Sequence, residues 1–182
     1  MAPIDPRPLP REPLALDLLN TELLLDGGPV DLLAGRDTRR AWLHHAAGAD
    51  HEDAAAGLTA ARTAIRAVAE AVAAGRPPDD DERAALDAVL AHGHVHRRLD
   101  GDGRVRQEVV PDDPARGPAV RAAHDLLDLL AARPDRIRQC EHERCVLWFL
   151  DTSRNGTRRW CSMASCGNRA KAARHYRRAR QG

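Results

Sequence analysis

Four cysteines stand in the order Cys140-x4-Cys145-x15-Cys161-x4-Cys166, all within 27 residues of a 182-residue chain. Thiolates in two close pairs are a donor set for zinc, which takes four ligands in a tetrahedron. In a reducing compartment such a cluster points to metal rather than to disulfides. The bland alternative is a group of buried thiols. The metal is favoured because a segment this short cannot bury a core of its own and needs a staple. A closed set of four protein ligands is a structural site, since catalytic zinc keeps a position open.

The elements needed to hold that set can be read from the intervening residues. "VLWFL" (146–150) is rich in strand formers, and "DTSRNGT" carries Asn155-Gly156, a tight-turn pair. "RRWC" brings the chain back to the third cysteine, so a β-hairpin of 146–150 with 158–161 is expected. A helix from about Met163 to Arg178 should follow and carry Cys166. Knuckle, hairpin and ligand-bearing helix are the order of a treble-clef-like finger. At 100° per residue, Lys171, Arg174, His175 and Arg178 share one arc of that helix, and Ala172, Tyr176 and Ala179 lie elsewhere with Arg169 beside them. Arg154, Arg158 and Arg159 on the hairpin could add phosphate contacts. Gly167 and Asn168 read as structural: the glycine lets backbone turn close to the metal, and the amide supports its surroundings.

Charge is unevenly distributed along the chain. Residues 1–132 hold 15 arginines against 23 acidic residues, a net charge of −8. Residues 133–182 hold 13 basic residues against 4 acidic, a net charge of +9. A basic module on an acidic body suits a polyanionic partner, DNA or else RNA. With one lysine against 27 arginines, the choice of Arg at any single position carries little information.

The rest of the chain reads as a helical body. Aromatic residues are only 3%, so its core must be Leu, Val and Ala. After a proline-rich lead-in (1–13), "LALDLLNTELLL" (14–25) predicts a helix stopped by "DGGP". "DTRRAWLHHAAG" predicts a second, with Asp37 as its cap. A long third helix runs from about Glu52 to Ala74, and "PPDDDE" opens a fourth. Two alternating runs around Asp-Gly-Asp-Gly (94–110) make a β-hairpin. Pro118 can open a last body helix ending before Pro134. The fold class is therefore mainly α: a helical domain with one β-hairpin over 1–133, then a small four-cysteine finger over 134–182.

Other chemistry-bearing groups are fewer. Asp17, Asn20 and Thr21 form a polar stripe among leucines, a possible ligand pocket or a set of buried structural hydrogen bonds. His92, His94 and His96 alternate and read as an exposed hairpin face rather than a metal site. Trp42 reads as core. No phosphate-cradling glycine loop or nucleophile elbow is present, and the chain reads as a non-enzyme. The N-terminus lacks the pattern of a signal peptide, and no apolar run reaches the length of a span. A cytoplasmic protein is the expectation.

"RCVLWFLDTSRNGTRRWCSMASCGNRAK" resembles the CGNR zinc finger, named for the tetrapeptide seen here as Cys166-Gly167-Asn168-Arg169. Upstream, "LDLLNT" (16–21), "DLLAGRDTRRAWL", the helix around Arg62 and the late hairpin resemble the ABATE domain that usually precedes this finger. Asp87 stands where family members often carry Asn. The resemblance implies a stress-induced, DNA-binding transcription regulator that holds Zn2+. Its body would sense a small-molecule effector or form a homodimer. The rivals are an RNA-binding module, and an enzyme with its site in the body and the finger as a structural clip.

Overall fold

The computed structural model describes residues 4–25, 28–47 and 55–180. Six helices and three two-stranded antiparallel hairpins make up the described chain. The first segment departs from expectation. Helix α1 covers only Leu14–Leu19. Strand β1 (Glu22–Leu25) then pairs with β2 (Gly28–Asp31), with Leu25 opposite Gly28. Leucine-rich propensity would carry the helix on to Leu25, but tertiary partners stop it at Asn20. The Asn20 side chain donates to Trp148 O (2.9 Å) and accepts from Trp148 N (2.7 Å). Thr21 Oγ1 donates to Leu18 O and accepts from Arg62 Nη1. Pairing of β1 with β2 then turns Leu23 inward and leaves Leu24 and Leu25 exposed.

Helix α2 (Arg36–Trp42) is capped at Gly35, so Asp37 lies inside its first turn rather than at the cap. The entry is held instead by Thr38, whose hydroxyl reaches back to Leu32 O at 2.7 Å. A π-turn at Leu43–Ala47 closes the segment. Helix α3 is described over Ala55–Ala73; the expected start near Glu52 lies outside the described residues. Helix α4 (Asp80–Leu90) opens on a reciprocal capping box between Asp79 and Glu82. The hairpin of β3 (Gly93–Leu99) and β4 (Val105–Pro111) leads into α5 (Gly117–Ala132), with proline in its first turn. His92 precedes β3, so the three alternating histidines do not share one strand.

Helices α1, α3, α4 and α5 pack on one another around Leu16, Leu19, Leu58, Ile65, Leu86 and Leu126. Trp42 is fully buried there. The same cluster contains Ile137 and Trp148 from the cysteine segment. The finger is thus seated on the body through a shared core rather than tethered to it.

Candidate metal centre and nucleic-acid interface

The finger's hairpin differs from the one expected. Strand β6 (Trp148–Leu150) pairs upstream with β5 (Ile137–Gln139), not downstream with residues 158–161. Cys140 N donates to Leu147 O, which prolongs this pairing to the first ligand, and Cys145 N donates to His142 O. The hairpin therefore encloses the first knuckle. Upstream pairing wins because Ile137 and Trp148 are both buried in the body core, which fixes these two strands side by side.

Residues 151–160 form a loop that returns to Cys161, organised by Asp151. This carboxylate is 1% exposed and accepts from Ser153 N and Arg158 N, both at 2.9 Å. Burial opposes its ionisation, yet these hydrogen bonds hold its pKa below the usual carboxylate value. The expected Asn155-Gly156 turn is present: Gly156 has φ +64°, a region open to glycine without penalty. Its carbonyl accepts from Arg138 Nη2 at 3.0 Å.

The four sulfurs lie within 4.8 Å of one another. Cys145 and Cys161 are 3.8 Å apart, Cys161 and Cys166 3.7 Å. Zinc–sulfur bonds of about 2.3 Å in a tetrahedron place sulfurs about 3.8 Å apart. A disulfide needs about 2.05 Å, and none of the four cysteines is in one. Ionising the thiols together would call for a cation among them. A hydrogen bond from Cys161 draws the Cys145 thiol down to about 5. The same contact, with burial, pushes Cys161 far above the ordinary thiol value. Burial raises Cys140 as well. Crowded thiols cannot all ionise without a positive charge among them, and a divalent metal supplies it. Phe149, fully buried, lies within the cluster, and Leu9, Leu147 and Trp160 pack against it.

Each residue of the Cys166–Arg169 tetrapeptide has a distinct place. Cys166, 1% exposed, offers its sulfur to the four-cysteine cluster. A Cβ on Gly167 would sit 2.7 Å from Met163 Sδ and 3.3 Å from Trp160 Cδ1, so a larger residue here would require the Met163 side chain to shift. Asn168 Nδ2 donates to Ala164 O at 3.3 Å, across the π-turn Met163–Gly167. Arg169 Nη2 donates to Cys166 Sγ at 3.7 Å. Helix α6 (Asn168–Ala179) starts directly at this point.

The residues expected to meet nucleic acid fall into three groups. Arg154 and Lys171 are exposed. Arg159 is exposed too, although its Nε donates to Glu141 at 2.6 Å and its guanidinium lies 5.1 Å from the Trp160 ring centre. Arg158 is engaged inside the finger: its guanidinium stacks 4.3 Å over Phe149 and donates to Trp160 O and Cys161 O. The side chains of Arg174, His175 and Arg178 lie outside the described residues.

Asp17, Asn20 and Thr21 are all buried and hold the fold together. Asp17 accepts from Trp42 Nε1 (2.8 Å) and Arg7 Nη1 (3.1 Å). Asn20 and Thr21 are bonded to Trp148 and Arg62 as described above. Sequence reasoning marked the helix around Arg62 but missed the role of its side chain, which is 5% exposed, bonds Asp31 with both terminal nitrogens and also pairs with Glu22. It also missed Glu12, whose carboxylate accepts from Leu150 N at 2.7 Å. An arginine in a helix and a glutamate in a proline-rich lead-in carry no local signal for such roles. No described helix is long and apolar enough to cross a membrane.

The comparisons with known proteins agree with this geometry. Residues 136–179 match the CGNR zinc finger family. Residues 12–133 match the ABATE family, described as "putative stress-induced transcription regulator". No curated protein matches the chain. With two thirds of its length in the ABATE match and the four-cysteine centre in the finger that follows, the chain belongs to the ABATE family and ends in a CGNR zinc finger.

Proposed function

We propose that this protein is a zinc-dependent, DNA-binding transcription regulator without catalytic activity. The finger would touch DNA, and the acidic helical body would govern it through an effector or a second copy. The observation that carries this reading is the placement of α6. Its first turn is anchored by Cys166 and Arg169, and exposed Lys171 follows in a module of net charge +9. Anchoring one end lowers the entropy lost when the helix is presented to a partner. Arg154 and Arg159 extend the basic surface on the loop. Arg158 is left out of the contact set, because its Nε and Nη2 donate to carbonyls within the finger.

The binding is electrostatic in this reading, so log K should fall linearly with log salt. Each lost phosphate contact removes about 0.9 from that slope on duplex DNA. Replacing Lys171, Arg174 and Arg178 with Ala should flatten the slope by up to about three units and weaken all sequences alike. Zinc content should stay the same, because none of the three is a ligand. Fluorescence anisotropy with a labelled duplex reads the slope; an unchanged slope and affinity would overturn the assignment. A parallel titration with single-stranded RNA decides between the nucleic acids.

A further inference from the structure

Away from the finger, α3, α4 and α5 leave a cavity of about 440 Å³ between them. Its walls are unusually small residues. Gly57 and Ala64 face it from α3, Ala85 and Ala88 from α4, and Ala119 and Val120 from α5. Side chains of this size ordinarily let helices close on one another. Here α3 and α5 do approach at one end, where a Cβ on Gly57 would lie 3.6 Å from that of Ala119. Beyond that contact the space stays open. The floor is apolar and buried: Ala64, Ala119 and Val120 are each no more than 3% exposed. Ala85 and Ala88 are exposed and border the opening.

The mouth carries two groups of a different kind, His92 and Arg116. Both stand on fixed backbone. His92 O accepts from Asp112 N at 2.9 Å, and Arg116 N donates to Asp113 O at 2.9 Å. Among the described residues the Arg116 guanidinium has no acidic partner, although residues 1–132 hold 23 acidic residues. An apolar chamber of this volume with a few convergent polar groups is the form of a small-molecule site. A lone cation at its edge selects the charge of the occupant.

We propose that this cavity binds an apolar molecule carrying one anionic group, with the skeleton between α3, α4 and α5 and the anion on Arg116. His92 adds a hydrogen bond at the mouth. The proposal builds on the reading of the helical body as the governing half of a regulator, and it places the effector away from Asp17, Asn20 and Thr21.

The test uses the full chain without DNA, so it stands or fails separately from the DNA reading. Two fluorescent probes share an apolar skeleton and differ in charge: 8-anilinonaphthalene-1-sulfonate and neutral N-phenyl-1-naphthylamine. Both should bind saturably at one site per chain. Arg116→Ala should weaken the sulfonate about tenfold, the effect of one charge-assisted hydrogen bond, and leave the neutral probe unchanged. Ala88→Phe, placed at the exposed border, should fill the chamber and abolish both. Ala85→Phe provides the same test from the adjacent position should the first variant lose its helical circular dichroism. Absence of saturable binding, or full binding to the filled variants, would overturn the proposal. So would equal weakening of the two probes by Arg116→Ala.

Discussion

At the scale of single residues, Asp17 shows how position overrides type. Its carboxylate is 2% exposed. Burial raises its pKa to about 6, against the lowering pull of Trp42 and Arg7. The folded state therefore holds this proton between about pH 4 and 6, where an unfolded Asp releases it. Stability from this group is present below pH 4 and declines as pH rises to 6. Asp17→Asn carries no such proton. Relative to wild type it should gain stability across that interval, by up to about 3 kcal/mol for a shift near two units. Denaturant melts of both chains at pH 4 and pH 7 measure the difference; a gap independent of pH would refute the assignment. Arg7 belongs to the same site, so the lead-in contributes to the environment of α1.

The metal ligands belong to the residue scale as well. In a four-ligand zinc site each of the four sulfurs would take one corner, and purified protein should then carry about one zinc per chain. Cys166→Ser should lose the metal, read by elemental analysis, because a serine hydroxyl is a poor replacement for a thiolate. Retention of a full equivalent of zinc by that variant would exclude Cys166 as a ligand.

At the scale of elements, the junction between α1 and β6 matters most. Asn20 satisfies both the N–H and the C=O of Trp148, and both residues are 1% exposed. Asn20→Ala leaves two buried main-chain groups without partners, at about 1–3 kcal/mol each. The expected loss is about 2–6 kcal/mol in a urea melt, shared by helix and finger signals. A loss under about 1 kcal/mol would mean that water replaces the amide at no cost. Trp148→Ala removes the ring from the body core and should be similarly severe, about 3–5 kcal/mol. Each variant alters a different side of one contact, so their effects should be less than additive.

For the whole molecule, the shared core would couple metal binding at the four cysteines to the entire chain. Ile137 and Trp148 pack in the body, and β5 and β6 lead straight to Cys140 and back to Cys145. Glu12 and Leu9 reach the same region from the N-terminus. Chelation should therefore lower the melting temperature of the body's helical signal, not only that of the finger. A calorimetric scan with and without a chelator tests this. An unshifted main transition would show that the body ignores the metal. Family matches over 12–133 and 136–179 divide the chain in sequence, while packing joins the two parts in space.

What the sequence by itself determined follows from short-range rules. Cysteine spacing, the basic helix after Cys166, the helix start at "PPDDDE", the β3–β4 hairpin and the helices α3 to α5 each rest on residues close together in the chain. The tetrapeptide Cys166–Arg169 was legible for the same reason. Tertiary structure decided what depended on distant partners. Residues 14–25 have helical composition, yet Trp148 and Arg62 claim Asn20 and Thr21 and end the helix there. Strand β6 could have paired on either side, and burial of Ile137 and Trp148 selected the upstream partner. Arg158 had the charge for phosphate, but the Phe149 ring and two carbonyls lie where its guanidinium reaches. Propensity and spacing act over a few residues at fractions of a kcal/mol each, whereas a buried polar group left unpaired costs 1–3 kcal/mol. Where the two conflict, the long-range partner wins, and no local pattern reveals which residue that partner is.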